Sequence, residues 1–224
     1  MHKSLIYKEL RQCWFLGALT LLACMGFTWW ETLTTSEYDV PPQPFIVNAR
    51  FWSVQMSLDV LSANFLLCSG LLAIALGLVQ SAWEQVGGTW YFLMHRPIRR
   101  GSVLTSKLIA GLTLWAVCSF IPLALYIAWA ATPGTHPSPF AWWMVSPVLR
   151  TWFSIPMLYL AAFQSGLLPN RWHGTRLLPC VAIGGLCFAM QFLPAWWLTG
   201  FPVVCVVTGM QLQALYQTFA VKDF

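Results

Sequence analysis

The chain has 224 residues, of which 58% are hydrophobic and only 8% charged, against about 25% charged residues in an ordinary soluble domain. Its 14 Trp, 15 Phe and 6 Tyr exceed what a water-facing surface hides, so a soluble globule is excluded. The formal charge of +5 need not signal nucleic acid, because basic residues orient a membrane protein.

In chain order, Ile6, Leu10, Cys13 and Trp14 recur at helical spacing while Lys3, Lys8, Glu9 and Arg11 are polar. Residues 2 to 12 therefore read as an amphipathic helix on the inner leaflet, with a polar tail as the alternative. A spanning helix needs about 20 largely apolar residues. The first candidate is Cys13 to Trp30, read as uncleaved because no A-x-A-like site follows Trp30. A Pro-rich stretch around Pro41, Pro42 and Pro44, with Glu31, Glu37 and Asp39, is too polar to span. Val60 to Val79, Leu108 to Ala130 and Thr151 to Leu168 follow as the second, third and fourth spans. Leu177 to Leu193 is short and ends at Pro194, so it pairs with Ala195 to Tyr216 as a tight hairpin.

The expected fold is a single all-α membrane domain, residues 1 to 224, with six transmembrane helices, an N-terminal elbow helix and both termini on one side. That side carries Lys3, Lys8, Arg11, Arg96, Arg99, Arg100, Lys107, Arg171, Arg176 and Lys222, ten basic residues, against two, Arg50 and Arg150, on the other. The bias places both termini in the cytoplasm. The tandem tryptophans Trp29 and Trp30, Trp142 and Trp143, and Trp196 and Trp197 fall at outer ends, where indoles favour the headgroup layer.

Ionisable groups inside a bilayer are costly and usually functional, and these spans carry almost none. His2, His95, His136 and His173 lie in tails, loops or interfaces, so a haem held between spans has no ligands. No span offers the nucleophile and base of an intramembrane protease. Asp59 and Arg150 are the charges nearest a span; they either pair across the second and fourth helices or face headgroups. The seven cysteines sit scattered in apolar stretches with no CxxC pair and read as small apolar filler, with no zinc site. Ser69, Ala73 and Gly77, Ala161 and Ser165, and Gly185 and Ala189 supply small residues at four-residue spacing for close helix packing. Pro122 and Pro156 permit kinks.

Function is therefore sought in the longest cytoplasmic connection, Ser81 to Lys107. Ser81 to Val86 reads as a short helix ended by Gly87 and Gly88, Trp90 to Met94 is apolar, and His95 to Arg100 is a basic turn around Pro97. Gly101 or Ser102 starts the helix that runs through Lys107 into the third span. The segment suits an interfacial surface that docks a cytosolic partner.

This stretch resembles the cytosolic segment of type 2 ATP-binding-cassette (ABC) permeases, whose pattern is a glutamate, Gly-Thr, an apolar pair, Pro-Val-Ser-Arg, and Gly-Lys opening the next helix. Glu84 matches the glutamate, Gly88 and Thr89 the Gly-Thr, Phe92 and Leu93 the apolar pair, and Lys107 the lysine. Pro97, Ile98, Arg99 and Arg100, after Arg96, stand for Pro-Val-Ser-Arg. Arg99 replaces the usual Ser, and Ser106 the usual Gly.

The resemblance implies the membrane subunit of an exporter in the bacterial cytoplasmic (inner) membrane, forming a homodimer or pairing with a similar permease above two cytosolic ABC ATPase subunits. Ser81 to Gly88 would then be a coupling helix. Glu84 also reads as a surface carboxylate, and Arg96, Arg99 and Arg100 also as topology determinants and lipid-phosphate contacts. No G-x-x-x-x-G-K-[ST] phosphate loop occurs, so ATP with Mg is expected on the partner ATPase, and no cofactor or catalytic residue in this chain. A polytopic scaffold or assembly subunit, or a secondary transporter, is the alternative reading.

Overall fold

A computed structural model of the chain describes residues 2–36, 47–83, 100–132, 142–168 and 175–221. Every regular element among the described residues is helical. They are α1 (His2–Ser36), α2 (Val47–Leu78) continued by a π-helical turn (Val79–Trp83), α3 (Arg100–Ala131), a 3₁₀ turn (Trp142–Val145) leading into α4 (Ser146–Leu167), α5 (Leu178–Met190) and α6 (Trp196–Val221).

Four of the six expected spans are long and apolar enough to cross a membrane: Ser4–Trp30, Ser62–Trp83, Gly101–Ala131 and Trp196–Phe219. Such helices are compatible with a multi-pass membrane protein. The fourth expected span falls in α4, which has 22 residues but carries Arg150, Thr151, Ser154, Gln164 and Ser165, too polar a set for that criterion. The fifth falls in α5, whose 13 residues reach about 20 Å at 1.5 Å per residue, short of a hydrocarbon core of about 30 Å.

Polarity and position agree in α4. It is buried along nearly its whole length and packs against α2, α5 and α6, while α1 packs along α3 and touches α2. Helices at the rim reverse the usual rule of a soluble protein: Trp14, Phe15, Leu19 and Leu22 of α1 and Leu198, Val206 and Met210 of α6 point outward. Lipid is as apolar as a core, so outward leucines cost nothing, and helices are held by close packing and polar contacts.

The row Ser69, Ala73 and Gly77 forms the seam between α2 and α4. All three are buried, and a Cβ at Gly77 would lie 2.7 Å from both Ala162 Cβ and the Tyr159 carbonyl oxygen. Ala161 and Ser165 are fully buried on α4. Gly185 and Ala189 of α5 are instead exposed, so that row faces away from the bundle. Trp115 Nε1 donates to Ser69 Oγ (2.9 Å), and Trp152 Nε1 to Ser119 Oγ (3.0 Å). The two indoles stack at 5.2 Å, joining α2, α3 and α4 through two indole–hydroxyl bonds.

Two expectations are corrected. Residues 2–12 form no separate elbow; they are the first turns of the unbroken 35-residue α1, because Leu5 and Cys13 pack into the main core. Trp196 does not sit at the lipid interface: it is fully buried against Met157, Cys187, Met190 and Val204, whereas Trp197 is exposed and donates to Ser146 Oγ (3.1 Å). All seven cysteines are free, and the thiols of Cys24 and Cys68 approach each other across α1 and α2. The turn at Pro194 is present, with Ala195 at φ 49° just before α6, and α5 and α6 both pack on α4. Pro122 and Pro156 lie inside α3 and α4, which continue past them.

Candidate functional site

Both ends of the connection between α2 and α3 run deeper into the bundle than their sequence implies. Residues 81–83 belong to the π turn that prolongs α2, where Gln80, Ser81 and Ala82 are buried. The first residues of the expected coupling helix are packed against α4, where Ser81 sits on Gly166, and residues 84–88 lie outside the described residues. Ser81 Oγ donates to the Gly77 carbonyl at 2.6 Å, satisfying a hydroxyl that would otherwise be stranded. At the other end α3 starts at Arg100, so Lys107 lies about two turns inside it.

Lys107 is the one predicted site residue whose side chain is described, and its surroundings are not those of a loop lysine. It is fully buried, and its Nζ donates to Glu9 Oε1 at 3.0 Å. The Glu9 side chain is 1% exposed. Lys8, on the rim, approaches the same oxygen at 3.7 Å. Burying either charge alone is expensive, so α1 and α3 are held in the register that pairs them. Arg100 contributes backbone to the start of α3; Glu84, Gly88, Thr89, Arg96, Pro97 and Arg99 lie outside the described residues.

A second polar pair joins the same region. Tyr159 Oη on α4 donates to Gln80 Oε1 at 2.6 Å and leans toward the Lys107 carbonyl at 3.4 Å. One phenol therefore touches both ends of the connection, Gln80 at its start and Lys107 at its finish. Gly111, one turn above Lys107, makes room for it: a Cβ there would collide with the Tyr159 hydroxyl and come within 2.6 Å of Gln80 Oε1. Glu9 Oε2 and Gln80 Nε2 have no hydrogen-bond partner among the described residues, which leaves an acceptor and a donor available to rearranged contacts or water.

The arrangement ties four helices at one place, α1 through Glu9, α2 through Gln80, α3 through Lys107 and α4 through Tyr159. Nearby, Arg176 donates through Nη2 to the Gly166 carbonyl (2.8 Å) and through Nε to that of Ser165 (3.2 Å), capping the last turn of α4. Glu9 and Lys107 fall inside the candidate spans Ser4–Trp30 and Gly101–Ala131, near the first residues of each rather than at the centre. Arg150 donates through Nε to Ser146 Oγ (3.2 Å); the Asp59 side chain is outside those described.

Glu9, Gln80, Tyr159 and Gly111 were not singled out by sequence reasoning. The available signal was that Gln80 and Lys107 are polar residues adjoining long apolar runs, each needing a buried partner. No family model matches the chain, and no curated protein or solved structure is significantly similar to it.

Proposed function

We propose that the chain is the membrane permease subunit of a type 2 ABC exporter, coupling a separate cytosolic ATPase to substrate movement. In this reading α4 and α5 complete a six-span domain, both termini face the cytoplasm, and the subunit works as a dimer, or with a similar partner, in the bacterial cytoplasmic membrane.

The observation that carries the reading is the segment from Glu84 to Lys107, whose residue order follows the cytosolic pattern of that family. The geometry at its two ends supports a coupling role. A push on the segment by an ATPase would be delivered to Gln80 and Lys107, and through Tyr159 and Glu9 to α4 and α1. A rigid, hydrogen-bonded junction transmits displacement because packed interiors do not deform continuously.

The test is purification of the tagged chain from its native membrane in mild detergent, with mass spectrometry of what remains bound. A stoichiometric ATPase carrying the phosphate loop is the expected result, and Glu84→Ala should then preserve assembly while lowering substrate-stimulated ATP turnover. Recovery of the chain alone, in a detergent that keeps a known transporter complex intact, overturns the reading and favours a scaffold or a secondary transporter.

A further inference from the structure

At the opposite end of the bundle from the Glu9–Lys107 pair, α1 and α3 part to leave a cleft of about 220 Å³ lined by Met25, Thr28, Trp29, Leu125, Tyr126 and Trp129. Its walls are of two kinds. Tyr126 is buried and held in a cluster with Phe65, Leu123 and Met144, and its ring meets Trp129 at 5.8 Å. Trp29 and Leu125 are exposed, so the cleft opens sideways, toward the region where lipid would lie. A fixed aromatic floor with an open apolar side suits a flexible hydrocarbon chain.

Thr28 also lines a second, smaller void of about 10 Å³ between α1 and α2, together with Cys24, Phe27, Asn64, Phe65 and Cys68. That volume holds about one water-sized group. The Thr28 hydroxyl is already committed to the Met25 carbonyl (2.9 Å). Asn64 is different: its partly buried amide, within a candidate span, makes no hydrogen bond among the described residues. An amide placed in apolar surroundings without a partner is costly, and this one lies beside a space sized for a single oxygen.

We propose that this pair of spaces is a binding site for an uncharged amphiphile, with its hydrocarbon chain in the cleft formed by Trp29, Tyr126 and Trp129 and a headgroup hydroxyl or carbonyl oxygen on Asn64. A charged headgroup is disfavoured because no charged side chain among the described residues lines either space and an unpaired charge there would be heavily penalised. The inference names a substrate class for the permease reading and rests on that reading only for the step from binding to transport.

The experiment uses the full chain in lipid nanodiscs and, as probe, a monoacylglycerol bearing a photoactivatable diazirine on its acyl chain. Cross-links are expected on peptides containing residues 24–29, 64–68 and 125–129, and excess unlabelled monoacylglycerol should abolish them. Asn64→Ala, which removes the amide without adding bulk, and Trp129→Ala should each weaken saturable labelling about tenfold. Even, non-saturable labelling that also covers the exposed α6 face at Val206 and Met210 identifies ordinary surrounding lipid and overturns the site. Cross-links from the cleft to a second copy of the chain overturn it as well. Saturable labelling of a chain that purifies without any ATPase, in a detergent that keeps a known transporter complex intact, would keep the site and refute the permease reading, so the two fail separately.

Discussion

Lys107 Nζ and Glu9 Oε1 lie 3.0 Å apart with both side chains sealed from solvent. This pair fastens the first turns of α1 to α3 across 98 positions of sequence. A buried pair of this kind contributes little net stability against an apolar replacement, yet removal of one partner strands the other charge.

The single variants Glu9→Gln and Lys107→Met should therefore each lower stability by about 3–5 kcal/mol, whereas Glu9→Leu combined with Lys107→Met should recover most of the loss. Unfolding in mixed micelles, followed by circular dichroism, reads the three directly. A loss in the double variant equal to the sum of the two single losses would show that the two residues do not act as a unit.

Tyr159→Phe removes the hydroxyl that donates to Gln80 Oε1 and leaves a buried amide oxygen unpartnered. The expected cost is about 1–3 kcal/mol. Adding Gln80→Leu to it should restore part of that loss, because an apolar pair needs no partner. In the permease reading, Tyr159→Phe should also uncouple ATP turnover from substrate while leaving the ATPase bound, a readout that loss of stability alone does not move.

Gly77 and Gly26 are both helical glycines in apolar spans, and alanine should act on them in opposite directions. At Gly77 a Cβ would come within 2.8 Å of the Phe163 backbone nitrogen and 2.7 Å of the Tyr159 carbonyl, atoms that cannot rotate away. Gly77→Ala should part α2 from α4 and cost about 1–3 kcal/mol. Gly26 has nothing within 4 Å, so Gly26→Ala should raise stability by about 0.5–1 kcal/mol through helix propensity. Thermal denaturation of the two variants side by side checks the sign.

What the chain's order of residues determined by itself was the material of the fold. Apolar runs of helical length, broken by Pro-rich and basic stretches, dictate helices in lipid, because transfer free energy and backbone satisfaction act on each segment locally. The small row at Ser69, Ala73 and Gly77, the turn at Pro194 and the motif from Glu84 to Lys107 are likewise local patterns. Which faces meet was not legible. In a bilayer, lipid-facing and core-facing residues are both apolar, so periodicity does not separate the buried Trp196 from the exposed Trp197 or mark the polar α4 as the central helix. The partners of Lys107, Gln80 and Asn64 were equally hidden: a polar group in an apolar run announces that it needs a neighbour, but only the packing of α1, α2, α3 and α4 decides that Lys107 meets Glu9, that Gln80 meets Tyr159, and that Asn64 meets an empty space.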